Sequence, residues 1–153
     1  MANTYTKIHL HFIFAVQYRQ GLIRNEWKDE LFRYITGIIQ RQGHKMLAIN
    51  GMPDHIHFLA GIRPNQSISS LMQDVKGDSS KWINQKNLTN GRFAWQSGYA
   101  AFSCSAREIS DVITYIRDQH VHHSRKAFIP EYREFLETSG VEFDERYIFA
   151  DPE

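Results

Sequence analysis

The sequence predicts an α+β fold in which one antiparallel sheet carries helices. Three observations lead there. Residues 5–16 and 55–62 alternate apolar and polar side chains with the period-2 signature of strands. Two intervening stretches instead space their apolar residues at helical intervals. The resulting order, strand, helix, strand, strand, helix, strand, is the split βαβ pattern of a ferredoxin-like (RRM-like) βαββαβ core, followed here by further C-terminal helices. With 153 residues, no internal repeat, no low-complexity tract and no dividing linker, residues 1–153 are expected to form a single domain.

Each element has its own justification. In residues 5–16, Ile8, Leu10, Phe12, Phe14 and Val16 share one face, and Lys7, His9 and His11 the other. After the breaker "RQG", the stretch "NEWKDELFRYITGIIQRQG" sets Trp27, Leu31, Tyr34, Ile35, Ile38 and Ile39 at helical spacing and closes on Gly43 as a C-terminal cap. "HKMLAIN" and "HIHFLAGI" read as strands joined by Gly51 to Asp54, a connection short enough for a hairpin. A second helix starts at Ser67, buries Ile68, Leu71, Met72, Val75, Trp82 and Ile83, and has Gly77 as its weak point. A strand is expected near Tyr99 to Cys104. Ser105 and Glu108 then form a capping box for a third helix with an Ile109, Val112, Ile113, Ile116 stripe, and a fourth is expected from about Pro130 to Thr138.

Composition narrows the function classes. The apolar stretch "IHLHFIFAV" is broken by two histidines and too short to span a bilayer, and no signal-peptide pattern is present, so a cytoplasmic location is expected. The single Cys104 admits no intramolecular disulfide and no cysteine-based zinc site, leaving it a small core hydrophobe. Residues 1–130 carry 16 Lys/Arg against 9 Asp/Glu, whereas residues 131–153 carry 2 against 8. The body is therefore basic, which suits a polyanionic partner.

The segment "GMPDHIHFLAGI" raises the chemical question. His55 and His57 at i and i+2 on a strand point to one side, where both rings can ligate one metal ion. The same spacing also suits two hydrogen-bonded histidines of purely structural role. If the first and third strands are central neighbours, His9 and His11 share that face. On the third helix Tyr115 and Gln119 are one turn apart and lie one above the other, beside the apolar stripe. Separately, each has an ordinary reading as packing or solvated residue. Together, two imidazoles, a carboxamide and a hydroxyl are the parts for cutting a phosphodiester by nucleophilic attack. A tyrosine ordinarily titrates near about 10, so a cation is needed to neutralise the phosphate. Mg²⁺ or Mn²⁺ fits, Mn²⁺ accepting nitrogen donors more readily.

"GMPDHIHFL" resembles the His-hydrophobic-His motif of the HUH endonucleases, and "YIRDQHVHH" resembles the catalytic helix of the single-tyrosine (Y1) transposases of the IS200/IS605 group. "VKGDSSKWIN", "FAWQSGYAAFSCS", "YIRDQHVHHSRKAF" and "GVEFDERYIF" extend the likeness in the same order over most of the chain. Relaxases differ in placing the tyrosine ahead of the histidines, and Rep-type initiators in pairing it with a lysine one turn later. The resemblance implies His55, His57 and Gln119 as metal ligands and Tyr115 as nucleophile. It further implies single-stranded DNA transposition through a 5′-phosphotyrosine link and a free 3′-OH, without ATP, by a homodimer that recognises hairpins at element ends. His11 and His122 are candidates for supporting the site. Arg19, Arg24, Lys76, Lys81, Arg117, Arg125 and Lys126 are candidates for DNA-backbone contacts. Asp54 is expected to shape the hairpin, with its side chain opposite His55.

Two alternatives remain at this stage. A domesticated relative would process chromosomal repeat hairpins by the same chemistry. A catalytically inactive hairpin-binding module would bind without metal and be indifferent to Tyr115→Phe, since ferredoxin-like sheets also bind nucleic acid by stacking bases. Another class of metal hydrolase has no support, because neither an HExxH helix nor a cysteine pair is present.

Overall fold

The computed structural model describes residues 4–119, 128–138 and 140. Four antiparallel strands form one sheet in the order β2-β3-β1-β4, with β1 at His9–Ala15, β2 at Lys45–Met52, β3 at His55–Gly61 and β4 at Ala100–Cys104. Helix α1 is Lys28–Arg41, α2 Ile68–Gln85, α3 Ile109–Arg117 and α4 Phe128–Thr138. This is the expected α+β arrangement, with β1 and β3 adjacent at the centre.

Alternation along the central strands separates two environments. Leu10, Phe12, Phe14 and Val16 of β1 and its end, with Ile56, Phe58 and Ala60 of β3, face α1 and α2. From the helices, Leu31, Ile35, Ile38, Ile39, Leu71, Met72, Val75 and Ile83 close that core. On the other face Leu59 and Cys104 meet Ile116 of α3, with Ile109, Val112, Ile113 and Tyr115 packed beside them. A bulge in β2 between Met46 and Ala48 breaks its alternation: Leu47 and Ala48 both pack toward α3, while Met46 and Ile49 pack toward α1 and α2.

Several boundaries differ from the sequence expectation. β1 begins at His9 rather than at residue 5, and Ile8 lies exposed just before it. The chain enters α3 through a turn at residues 106–108, so the helix starts at Ile109, not directly after Ser105. The Ser105–Glu108 pair still forms, with the Ser105 amide donating to the Glu108 carboxylate at 3.0 Å. Gly77 does not interrupt α2. Ser79, which the hydrophobic pattern did not single out, is buried in α2; its hydroxyl donates to the Val75 carbonyl at 2.5 Å and accepts from the Trp95 indole at 2.9 Å. Gly51 is required where it stands, because a Cβ there would collide with the His55 carbonyl across the hairpin.

Candidate active site

The register of the central strands assembles the site. His57 lies opposite Ile13 of β1 and Asn50 of β2, while His11 lies opposite Leu59 of β3 and Phe102 of β4. His11 and His57 are thus diagonal neighbours, with Nε2 of His11 and Nδ1 of His57 hydrogen-bonded at 2.9 Å. His55 lies 5.1 Å from His57, ring centre to ring centre. All three rings are buried.

Helix α3 brings its tyrosine to this face. The Tyr115 ring stands edge-on to His57 at 5.8 Å and to His11 at 6.2 Å. Packing of Ile116 and its neighbours against Leu59 fixes the depth of the helix. Its end is tied down by Asn50, whose Nδ2 donates to the Arg117 carbonyl at 2.9 Å. The sequence reading missed Asn50, although an asparagine inside an apolar strand facing a histidine was the available signal. Gln119 is fully buried rather than solvated, and its Nε2 donates to the Tyr115 carbonyl at 3.3 Å.

The residue before His55 also has a role that strand alternation concealed. Asp54 sits in the hairpin turn, where alternation does not apply, and its Oδ1 accepts from Nδ1 of His55 at 2.6 Å. Its side chain therefore turns to His55, contrary to expectation. The other oxygen, Oδ2, accepts from Nη2 and Nε of Arg19 at 2.6 and 3.1 Å. Burial by itself raises the Asp54 carboxyl, but the hydrogen bond and charge of His55, followed by those of Arg19, outweigh it and bring it down to about 2.

These contacts bear on a metal. An ionised Asp54 only accepts, so Nδ1 of His55 carries a proton, and in the neutral ring that a metal requires Nε2 holds the lone pair. When His57 likewise donates from Nδ1 to His11, its own Nε2 is the coordinating atom. Gln119, with its amide nitrogen on the Tyr115 carbonyl, would ligate through Oε1. Two imidazoles held from behind by hydrogen bonds and an amide oxygen are donor types that fit Mn²⁺ or Mg²⁺. Among the described residues, no group of three or more His, Cys, Asp or Glu side chains could hold a metal; the set here has only two of those residue types' side chains and an amide.

The basic candidates fare differently. Arg19 is buried against Asp54, which removes it from the solvated surface where a DNA-backbone contact was expected. Lys76 is half-buried, donating to the carbonyls of Gln96 and Gly98 at 2.7 and 2.8 Å, and burial lowers its pKa. It staples the segment leading into β4. Lys81 is exposed beside Arg92 on an 870 Å³ cleft between α2 and residues 87–95, whose lining includes none of the site histidines. Arg24 and Arg117 are exposed. His122, Arg125 and Lys126 lie outside the described residues.

Comparison with known proteins bears on the family and the fold. The family pattern described as "Transposase IS200 like" matches residues 4–119. The ISDra2 transposase TnpA of Deinococcus radiodurans is 26% identical over 119 residues, covering 74% of this chain and 85% of that one. The transposase for insertion sequence element IS200 of Salmonella typhimurium is 28% identical over 104 residues, 65% of this chain and 68% of that one. Among solved structures, a Deinococcus radiodurans R1 protein assigned as a transposase superposes with a TM-score of 0.60 at 25% identity, over 78% of this chain and 95% of the other. A REP-associated tyrosine transposase bound to a REP hairpin gives 0.61 at 15% identity, over 91% and 86%, a likeness of fold. Among the described residues, no helix is long and apolar enough to cross a membrane.

Proposed function

We propose, from the premise that this chain belongs to the IS200-like transposase family, that it is an HUH-type enzyme cutting and rejoining single-stranded DNA through Tyr115. The observation that carries the reading is the ring cluster itself: Tyr115 edge-on to His57 and His11, with Nδ1 of both His55 and His57 already engaged. A divalent cation, Mg²⁺ or Mn²⁺, held by His55, His57 and Gln119 would neutralise charge on the non-bridging oxygens of the phosphate. The Tyr115 hydroxyl gives up its proton as its oxygen attacks phosphorus, the bond from phosphorus to the 3′-oxygen breaks, and the leaving oxygen takes up a proton, so that no net proton is gained or lost. One ester bond replaces another. The 5′-phosphotyrosine retains the bond energy, and a 3′-OH attacking it reverses the step at a new junction, with no nucleotide cofactor.

Substrate and assembly follow from the same reading. The basic balance of residues 1–130 suits a polyanion, and the hairpin bound to a neighbour of the same fold supports hairpin DNA as the ligand class. Acting as a homodimer in the cytoplasm belongs to this proposal. Within its own chain Tyr115 stands against His57 and His11, which supports a reading in which a subunit's tyrosine helix serves its own histidines.

A denaturing gel tests the chemistry. Labelled single strands from the DNA flanking the gene should give a covalent protein–DNA adduct with Mg²⁺ or Mn²⁺, lost with chelator, with duplex substrate and with Tyr115→Phe. Equal hairpin binding by both proteins without any adduct would replace this reading with that of a binding module.

A further inference from the structure

The geometry points to Arg19 and Asp54 as a positioning pair that sets the tautomer of His55, an inference that rests on the metal-site reading above. Asp54 divides its carboxylate between two partners: Oδ2 takes both Nη2 and Nε of Arg19, and Oδ1 takes Nδ1 of His55 at 2.6 Å. Because a carboxylate has no proton to offer, His55 must donate from Nδ1, and its neutral form then holds the lone pair on Nε2. The arrangement has the form of a carboxylate–histidine–metal triad, in which the outer carboxylate fixes ring orientation and raises ligand basicity. Arg19 extends it by one residue, fixing the carboxylate in turn.

The backbone around Arg19 distinguishes this from an incidental ion pair. Tyr18 and Arg19 stand at φ 58° and 51°, consecutive non-glycine residues in the left-handed region that L side chains disfavour. Surface pairs form without such a conformation. The turn is clamped onto the hairpin by two backbone bonds, Val16 N to the Asp54 carbonyl at 2.8 Å and Ile23 N to the Pro53 carbonyl at 3.0 Å. It delivers an arginine whose side chain is only 8% exposed. A disfavoured backbone held by neighbouring bonds, with its side chain committed to the partner of a candidate ligand, is a positioning device.

Two readouts test it without DNA. Long-range ¹H–¹⁵N spectra of the metal-free protein report the tautomer of His55, and a Mn²⁺ titration followed by electron paramagnetic resonance reports affinity. The wild type should show a single Nδ1–H tautomer. Asp54→Asn, which can donate as well as accept, should lose that single tautomer and weaken Mn²⁺ binding about 10–100-fold. Arg19→Lys keeps the charge but not the fork and should give a smaller loss in affinity with a shifted Nδ1 resonance, which serves as the test should Asp54→Asn not fold. A His55 that keeps its Nδ1–H tautomer and its Mn²⁺ affinity in Asp54→Asn overturns the inference. A wild type that binds no Mn²⁺ sinks the metal-site reading, while the tautomer spectra still decide for or against the positioning pair.

Discussion

The two faces of the β1–β3 pair are built from the same pleat and differ in almost every other respect. Toward α1 and α2, Phe12 stacks on Phe58 at 4.6 Å, and Phe14 meets Phe58 and Trp95 edge-on at 6.3 and 4.7 Å. Toward α3, the equivalent positions hold His11, His55 and His57, just as buried but joined by directed hydrogen bonds. Burial of polar rings costs free energy unless each finds a partner. The aromatic face can tolerate small shifts; the histidine face cannot, since each bond fixes the next. What the comparison teaches is a division of labour within one sheet, in which the apolar side sets the strand spacing that the polar side needs.

The largest expected effect breaks the apolar side. Phe58→Ala removes a fully buried ring that touches two others, and unfolding in urea should show a loss of about 3–5 kcal/mol. A loss below about 1 kcal/mol would mean that this face collapses easily around the gap and does not hold the strands apart as argued.

A smaller effect separates the faces by pH. The Asp54 carboxyl titrates at about 2 in the folded chain against an ordinary 3.8. A depressed folded value stabilises above the unfolded one, so the contribution is complete above about pH 5, fades as pH falls through 3.8, and is gone below 2. The shift corresponds to about 2 kcal/mol. The stability difference between wild type and Asp54→Asn, measured from pH 5 down to 2, should shrink by that amount. Phe58→Ala should show no such convergence, because the aromatic face has nothing to titrate; a constant Asp54→Asn difference would contradict the ion-pair account.

The same contrast explains what could be read from the sequence. Periodicity reports which way a side chain points, so the strand faces, the helices and the placing of His55 and His57 together were legible. Partner geometry is not encoded in periodicity. Asp54 lies in a turn, where alternation gives no direction, and so its side chain was expected opposite His55 when in fact it bonds to it. Arg19 looked like any solvated charge because its left-handed backbone leaves no mark in an ordinary "QYR". Asn50 was hidden similarly: an amide's role depends on the carbonyl it reaches across the fold, here that of Arg117. The β2 bulge was invisible because Leu47 and Ala48 are both small or apolar enough for either face.

The smallest effect sharpens the comparison from the supporting layer. Gly77 was expected to weaken α2, yet the helix runs through it without interruption, and a Cβ built there meets no atom within 4 Å. Its cost is therefore entropic: the unfolded chain loses more freedom at glycine than at alanine, with no clash to set against the change. Gly77→Ala should raise stability by about 0.4–1 kcal/mol in urea unfolding. A layer whose task is only to cover the apolar face ought to accept that gain with no change in the His55 tautomer or in Mn²⁺ affinity. A gain in stability accompanied by altered Mn²⁺ affinity would show instead that α2 transmits its packing through Phe58 to the histidines, and that the two faces are coupled more tightly than a shared backbone requires.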